Sequence, residues 1–314
     1  MNESSAYDLQ LIERALLAED PQFIAQFRRA TQQLGTLSTP PPAGPLVVAV
    51  DGTLTSMQAV HWAASQARTT GTDIHIVHAF RWRSYPLEYG IDALQDLSDQ
   101  AAGQDICRSA VELASAVAPG VHVTAALVSG TAGPAIVHAA SNAGLLVMGG
   151  SRLSALKKLC GTSALPHVIS RVRCCVAVVP EAGPHDMATG SLICVGVAGG
   201  VGDTAALAAG LRLAQTGAHR LQVVCAAGAE QATTVALAAL RRDFNAPVVE
   251  RITAKDQVAD TLTRLAPRAE AIVCDRSLVA MGAPLRGRAG RRLLREALCP
   301  VLLSSAGPSS AGGR

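Results

Sequence analysis

Between residues 149 and 163 the chain reads GGSRLSALKKLCGTS. Gly149, Gly150 and Gly161 bracket the stretch, and Ser151, Thr162 and Ser163 set hydroxyls beside them. Glycines let backbone N–H groups come close to an anion, and a hydroxyl at the start of a following helix adds a donor. The chemistry these types and spacings suit is phosphate binding. Arg152, Lys157 and Lys158 add cations to the same stretch. Next to a polyphosphate they would make charge-assisted bonds; on an open surface they would simply be solvated. Leu153 argues the other way. If its position needs positive φ, a β-carbon there costs about 1–2 kcal/mol, and its branched side chain fills space meant for phosphate. Two readings stay open: a working phosphate loop, or the vestige of one.

Such a loop needs a strand before it and a helix after it. LLVMGG, at 145–150, is an apolar run that predicts the strand, and a helix is expected around 164–172. Upstream, PLVVAV predicts a strand ending at Val50, a helix spans about 56–69, and a strand spans 73–80. A longer helix over roughly 91–117, the strand VHVTAALV, and the helix GPAIVHAASNA complete the lead-in; CCVAVVP follows as a strand. Strands alternating with helical segments mark a parallel α/β sheet. PEAGPHDMATG, at 180–190, then interrupts the pattern, and the order repeats. ICVGVAGG aligns with VVAVDGT, AQTGAHRLQVVCAA with ARTTGTDIHIVHAF, AIVCDR with LLVMGG, and CPVLLS with CCVAVV. The second copy is shorter, which predicts that its second helix is trimmed. Duplication at this length means two similar domains in tandem.

The expected organisation is a helical segment at 1–38, a Pro-rich linker at 39–45, a first domain at 46–181, a linker at 182–190, a degenerate second domain at 191–305 and a tail at 306–314. Composition agrees with buried parallel strands: 49% of residues are hydrophobic but only 3% aromatic, so the core is aliphatic. A formal net charge of +3 is too small to argue for nucleic acid. None of the eight cysteines forms a C-x-x-C pair, and their apolar surroundings suit small buried hydrophobes. No leader pattern opens the chain and no apolar run reaches membrane-spanning length, so a cytoplasmic protein is expected.

VAVDGTLTSMQAVHWA, at 48–63, resembles the first strand, loop and helix of the universal stress protein family. There an acidic residue closes strand one, followed by small residues, a serine and an Ala-x-x-x-Ala helix. Asp51, Gly52, Thr53, Ser56, Ala59, Trp62 and Ala63 fall on that pattern. IVHAF at 76–80 resembles the family's second strand, and GTAGPAIVHAASNAGLLVMGG its third helix and fourth strand. The resemblance implies an α/β fold of two tandem doubly wound, parallel five-stranded domains, an arrangement common in actinobacteria and in keeping with the chain's preference for arginine over lysine. It implies a stress-response role and ATP as the cofactor. In ATP-binding members the fourth strand runs into Gly-x-x-Gly, a spacer, and Gly-Ser/Thr. Carried over, Asp51 matches the nucleoside-contacting acid, with Gly52 and Thr53 beside it, and Ala79 matches the backbone that meets adenine. Gly149, Gly150, Ser151, Arg152, Gly161, Thr162 and Ser163 match the phosphate loop. Leu153 stands at the second glycine, and the spacing from Gly150 to Gly161 is shorter than the family's. In the second copy Ala198 replaces the acid and Gly287-Arg288 replaces Gly-Ser/Thr.

Two rivals come from other classes. An adenylating enzyme of the wider α/β superfamily needs a Ser-Gly-Gly-x-Asp-Ser loop or a His-x-Gly-His motif, and VDGTLTS has neither. No nucleophile elbow or metal-ligand spacing stands out, so catalysis beyond slow ATP hydrolysis is not expected. The second rival is a nucleotide-free stress protein working through dimerisation and partner contacts. The last strand of either copy could pair with another chain, or the two copies could pair within one chain. The N-terminal helices, at 5–34, pack Phe23 and Phe27 on an apolar stripe. IERALLAEDPQFIAQFR resembles the opening of an actinobacterial membrane-protein family of unknown function, but no spanning segments follow it here. The stripe suits packing on the body or a protein partner.

Overall fold

The computed structural model describes residues 44–80, 90–150, 164–181, 192–200, 202–240, 249–279 and 286–304. The N-terminal helices, most of the proline linker, the second linker, the C-terminal tail and residues 151–163 of the glycine stretch lie outside these residues.

Ten strands form one sheet: β1 (Leu46–Val50), β2 (Ile74–Phe80), β3 (Val123–Ser129), β4 (Leu145–Gly150), β5 (Cys175–Pro180), β6 (Leu192–Val197), β7 (Arg220–Cys225), β8 (Val249–Thr253), β9 (Ala271–Asp275) and β10 (Val301–Ser304). Their order is β3-β2-β1-β4-β5-β10-β9-β6-β7-β8. Each half is therefore a parallel five-stranded doubly wound sheet of the expected type, and the second half repeats the order of the first. The halves meet where β5 and β10 pair antiparallel, with Val301 opposite Val178 and Leu303 opposite Val176. The two copies thus pair within the chain.

Helices cover both faces. On one lie α1 (Leu54–Thr70) and α2 (Gly90–Val117) of the first half, with α5 (Asp203–Thr216) and α6 (Glu230–Leu240) of the second. On the other lie α3 (Ala132–Ala139), α4 (Leu165–Arg171), α7 (Val258–Leu265) and α8 (Arg286–Glu296). The stretch from β7 to β8, which carries α6, is shorter than that from β2 to β3, which carries α2, as the shorter second copy leads one to expect.

Alternation along β1 shows how the sequence builds two cores at once. Leu46, Val48 and Val50 face α1 and α2, while Val47 and Ala49 face α3 and α4, as the strict two-residue period of a strand requires. With few aromatics, helices approach the sheet through small residues. Ala59, Ala63 and Ala67 recur four apart on α1 and are fully buried. Gly210 does the same on α5, where a Cβ would come 2.2 Å from Val195 Cγ2. Thr53 caps the start of α1 by accepting from the Ser56 amide, and Gly71 ends the helix in the left-handed conformation. The described cysteines are free, and five of them are buried. Burial pushes the Cys174 thiol up to about 11 and that of Cys194 up to about 12, so these groups behave as apolar fillers.

Candidate functional site

In each half the chain runs from the first strand to the second on one side, then to the fourth on the other. The crevice beyond the carboxyl ends of those central strands is where open α/β sheets take ligands. In the first half these ends are Val50, Phe80 and Gly150. Asp51 follows β1 and is exposed. Its carboxylate accepts from the Thr53 amide at 3.1 Å and the Thr53 hydroxyl at 2.5 Å, which folds the loop into a turn ahead of α1. Gly52 sits at φ +79°, and a Cβ there would lie 2.8 Å from Ile106 Cδ1. This position therefore needs glycine on two counts, conformation and space. Leu54, the first residue of α1, is a large apolar side chain left 68% exposed beside this loop.

Ala79 lies one residue beyond the β1 ladder on β2, where Val50 pairs with His78. It is the next-to-last residue of that strand. The His78 ring bonds through Nδ1 to the Val50 carbonyl at 2.8 Å, tying the ends of β1 and β2 together. Gly149 and Gly150 complete the fourth strand opposite Val179 and Pro180. A Cβ on Gly149 would stand 3.0 Å from the Thr55 carbonyl carbon and 3.1 Å from the Ser56 amide. The start of α1 therefore packs straight onto the end of β4, and glycine is what permits it. Asp51, Gly52, Thr53, Ala79, Gly149 and Gly150 are thus gathered at one end of the sheet. Ser151, Arg152, Gly161, Thr162 and Ser163, with Leu153, lie outside the described residues.

The matching end of the second half is filled by the chain itself. Asp203, in the first turn of α5, is buried, and its carboxylate accepts from the amides of Ala198 at 3.3 Å, Gly199 at 2.7 Å and Gly200 at 2.7 Å. Successive amides of this kind make an anion-binding hollow, and here the anion is internal. Burial raises the Asp203 carboxyl above its ordinary range; the three amides pull it down, and neighbouring Asp275 pushes it up again. Asp275 is also buried, ends β9 and accepts from the Ser277 amide at 2.9 Å. It packs against Gly202 so closely that a Cβ there would lie 1.9 Å from its Oδ2.

Neither carboxylate is visible as a site from sequence, because each one's meaning lies in a partner loop. The available signal is an acid in a first helical turn behind three glycines, at 199–203. Among the described residues, no cluster of three or more His, Cys, Asp or Glu is set to hold a metal. No described helix is long and apolar enough to cross a membrane.

This geometry defines a doubly wound α/β protein of two like halves, with Asp51 and glycines gathered at the strand ends of the first and internal carboxylates at those of the second. The comparisons narrow the class: residues 43–180 match the model of the Universal stress protein family. A universal stress protein from Archaeoglobus fulgidus is similar in structure, at TM-score 0.65 and 14% identity, over 85% of this chain and 97% of that one. A functionally unknown protein from Pseudomonas aeruginosa gives TM-score 0.51 and 15% identity, over 83% and 92%. A universal stress protein solved in complex with cAMP shares 26% identity over 42% of this chain and 93% of that one, at TM-score 0.33. No curated protein matches the chain in sequence. The family match covers the first half of the chain, and the likeness to solved structures shows the same fold over most of its length.

Proposed function

We propose that this chain is a cytoplasmic stress-response protein that binds ATP in its first half and signals through the bound nucleotide rather than by dedicated catalysis. One observation carries the reading: the switch point between β1 and β4 brings together Asp51, the Gly52–Thr53 turn and the Gly149–Gly150 strand end, with Ala79 on the adjoining strand. In this reading Asp51 holds the nucleoside and the Ala79 backbone meets the base. Gly150, Arg152, Gly161, Thr162 and Ser163 hold phosphates. The second half, paired through β10, serves as a built-in dimer partner.

The test is the nucleotide content of freshly purified protein, read by chromatography after heat denaturation, followed by calorimetric titration with ATP. About one ATP or ADP per chain is expected, lost in Asp51→Ala and Gly161→Val. An empty protein that ignores ATP at about 1 mM, the upper end of ordinary working affinities, overturns the reading in favour of a nucleotide-free protein acting through partners.

A further inference from the structure

Read over the whole chain, a net charge of +3 gives no reason to expect nucleic acid, but its distribution does. Residues 182–314 hold 15 Lys and Arg against 10 Asp and Glu, whereas the residues before them hold 12 against 14. Arg286, Arg288, Arg291, Arg292 and Arg295 all stand on α8, whose one acid is Glu296. Ala289 and Leu293 turn the other side of this helix into the core. That seating leaves Arg288, Arg292 and Arg295 exposed, at a spacing that sets them on one helix face. The arrangement does not steady the helix. Its first turn carries arginine and no acid, the reverse of what the helix dipole favours. Nor are these arginines used up inside the fold, as Arg276 is. The Arg276 guanidinium crosses the β5–β10 joint and donates to the Ile169 carbonyl at 3.2 Å, the Val172 carbonyl at 2.6 Å and the Cys174 carbonyl at 2.8 Å. On the ridge, Arg292 meets Glu296 at 2.7 Å and Asp260 of α7 at 4.0 Å, surface pairs of little net strength. Among the described residues, no ion pair or hydrogen bond engages Arg288 or Arg295.

A row of exposed arginines suits a partner whose negative charge repeats along its length. The planar guanidinium fork matches phosphate and carboxylate oxygens alike, so the surroundings of the ridge decide between them. A protein partner would be held by apolar and aromatic anchors at a water-excluding centre. The large hydrophobic side chains exposed among the described residues are Leu54 and Ile252, on α1 and β8, and neither stands on α8. The same lack argues against a membrane surface, where amphipathic helices bury apolar side chains. It argues against single-stranded nucleic acid too, whose bases stack on aromatic rings. A duplex needs no such anchor, because its backbone presents phosphates in series whatever the sequence. From Arg288 to Arg295 the helix rises about 10 Å, a length over which a duplex carries about six charges.

We propose that the arginine ridge of α8 docks the phosphate backbone of double-stranded nucleic acid without reading its sequence. The docking needs no nucleotide in the first half. The test follows the anisotropy of a short labelled DNA duplex of mixed sequence as full-length protein is added. Binding is expected at about 1–100 μM protein. With three phosphates neutralised, affinity should fall about fortyfold between about 50 mM and about 200 mM salt. Arg288→Gln, Arg292→Gln and Arg295→Gln together should remove the binding. Arg68→Gln, Arg108→Gln and Arg220→Gln together take the same charge from exposed sites elsewhere and should leave it nearly intact. Glu296→Gln frees Arg292 and should tighten binding about twofold; it decides the matter if the ridge variant fails to fold. No binding by wild type, wild-type affinity in a folded ridge variant, or equal losses in the two triple variants overturns the proposal. So does a Glu296→Gln variant that binds no more tightly. Capture of poly-glutamate or of anionic lipid vesicles in place of the duplex would give the ridge another class of partner and overturn it equally.

Discussion

The two halves share strand order, helix placement and an aliphatic core, yet they build the same strand-end crevice in opposite ways. In the first half the fourth strand closes with Gly149 and Gly150, and the first turn of α1 rests on Gly149. In the second half the glycine has moved to the helix start, as Gly202, and the strand end carries Asp275. Asp51, exposed at the mouth of the first crevice, corresponds to Ala198; Ser56 corresponds to Asp203, which turns inward onto the Ala198–Gly200 amides. Each change alone would be disruptive, and together they close the crevice. The lesson is that the same hollow can be satisfied from within: in the second half an internal carboxylate meets the amides, because buried amides and close-packed surfaces do not tolerate being left empty.

The largest effect should come from forcing the second half's solution onto the first. Gly149→Asp would press a side chain into the Thr55–Ser56 backbone with no facing glycine to receive it. A loss of about 3 kcal/mol or more in unfolding free energy is expected by denaturant titration. A near-neutral result would show that the start of α1 is free to shift, and the comparison would weaken.

The reciprocal change is milder. Gly202→Ala should cost about 2 kcal/mol, because its methyl would overlap the Asp275 carboxylate. Adding Asp275→Gly should recover much of that loss. The double-mutant cycle then reads the coupling directly. Additive losses would mean that these two residues do not share one space.

A smaller and pH-dependent effect tests Asp203. Its folded-state carboxyl is raised by burial, so the native protein holds that proton more tightly than the unfolded chain does. The sign follows: the stabilisation from the bound proton is fully present below the ordinary aspartate value of about 4 and is lost as pH rises through the higher folded value. Asp203→Asn should flatten this part of the stability profile. A variant whose profile overlays that of wild type between about pH 4 and about pH 7 would place the carboxylate in a wetter setting than its burial indicates.

Period and punctuation made most of the fold legible. Apolar runs placed the described strands other than β8 to within a few residues, and the repeat of those runs announced the two halves and the shorter stretch around α6. The gathering of Asp51, Gly52 and Gly149 was legible because local rules govern those positions: a turn, a left-handed φ and a strand end. Asp203, Asp275 and Arg276 were not. Asp203 looks like an ordinary first-turn acid, Asp275 like a polar residue closing a strand, and Arg276 like one of many arginines. Their roles depend on Gly202, on the 198–200 amides and on carbonyls 102 to 107 positions away. Pairing across such separations leaves no pattern within a sequence window.

The finest test returns to the loop that distinguishes the first half. Leu153 stands where the family resemblance puts a glycine. If the backbone there adopts positive φ when phosphate binds, the leucine costs about 1–2 kcal/mol, and Leu153→Gly should tighten ATP by about tenfold. Stability should change little, since the substitution acts on the bound state. A loss of affinity would say instead that the leucine packs against the nucleotide, and that Arg152, Lys157 and Lys158 hold the phosphates in a loop that has exchanged backbone contacts for side-chain charge. No change at all would remove residue 153 from the phosphate site. The contrast between the halves would then rest on Asp51, Gly149 and Gly150 alone.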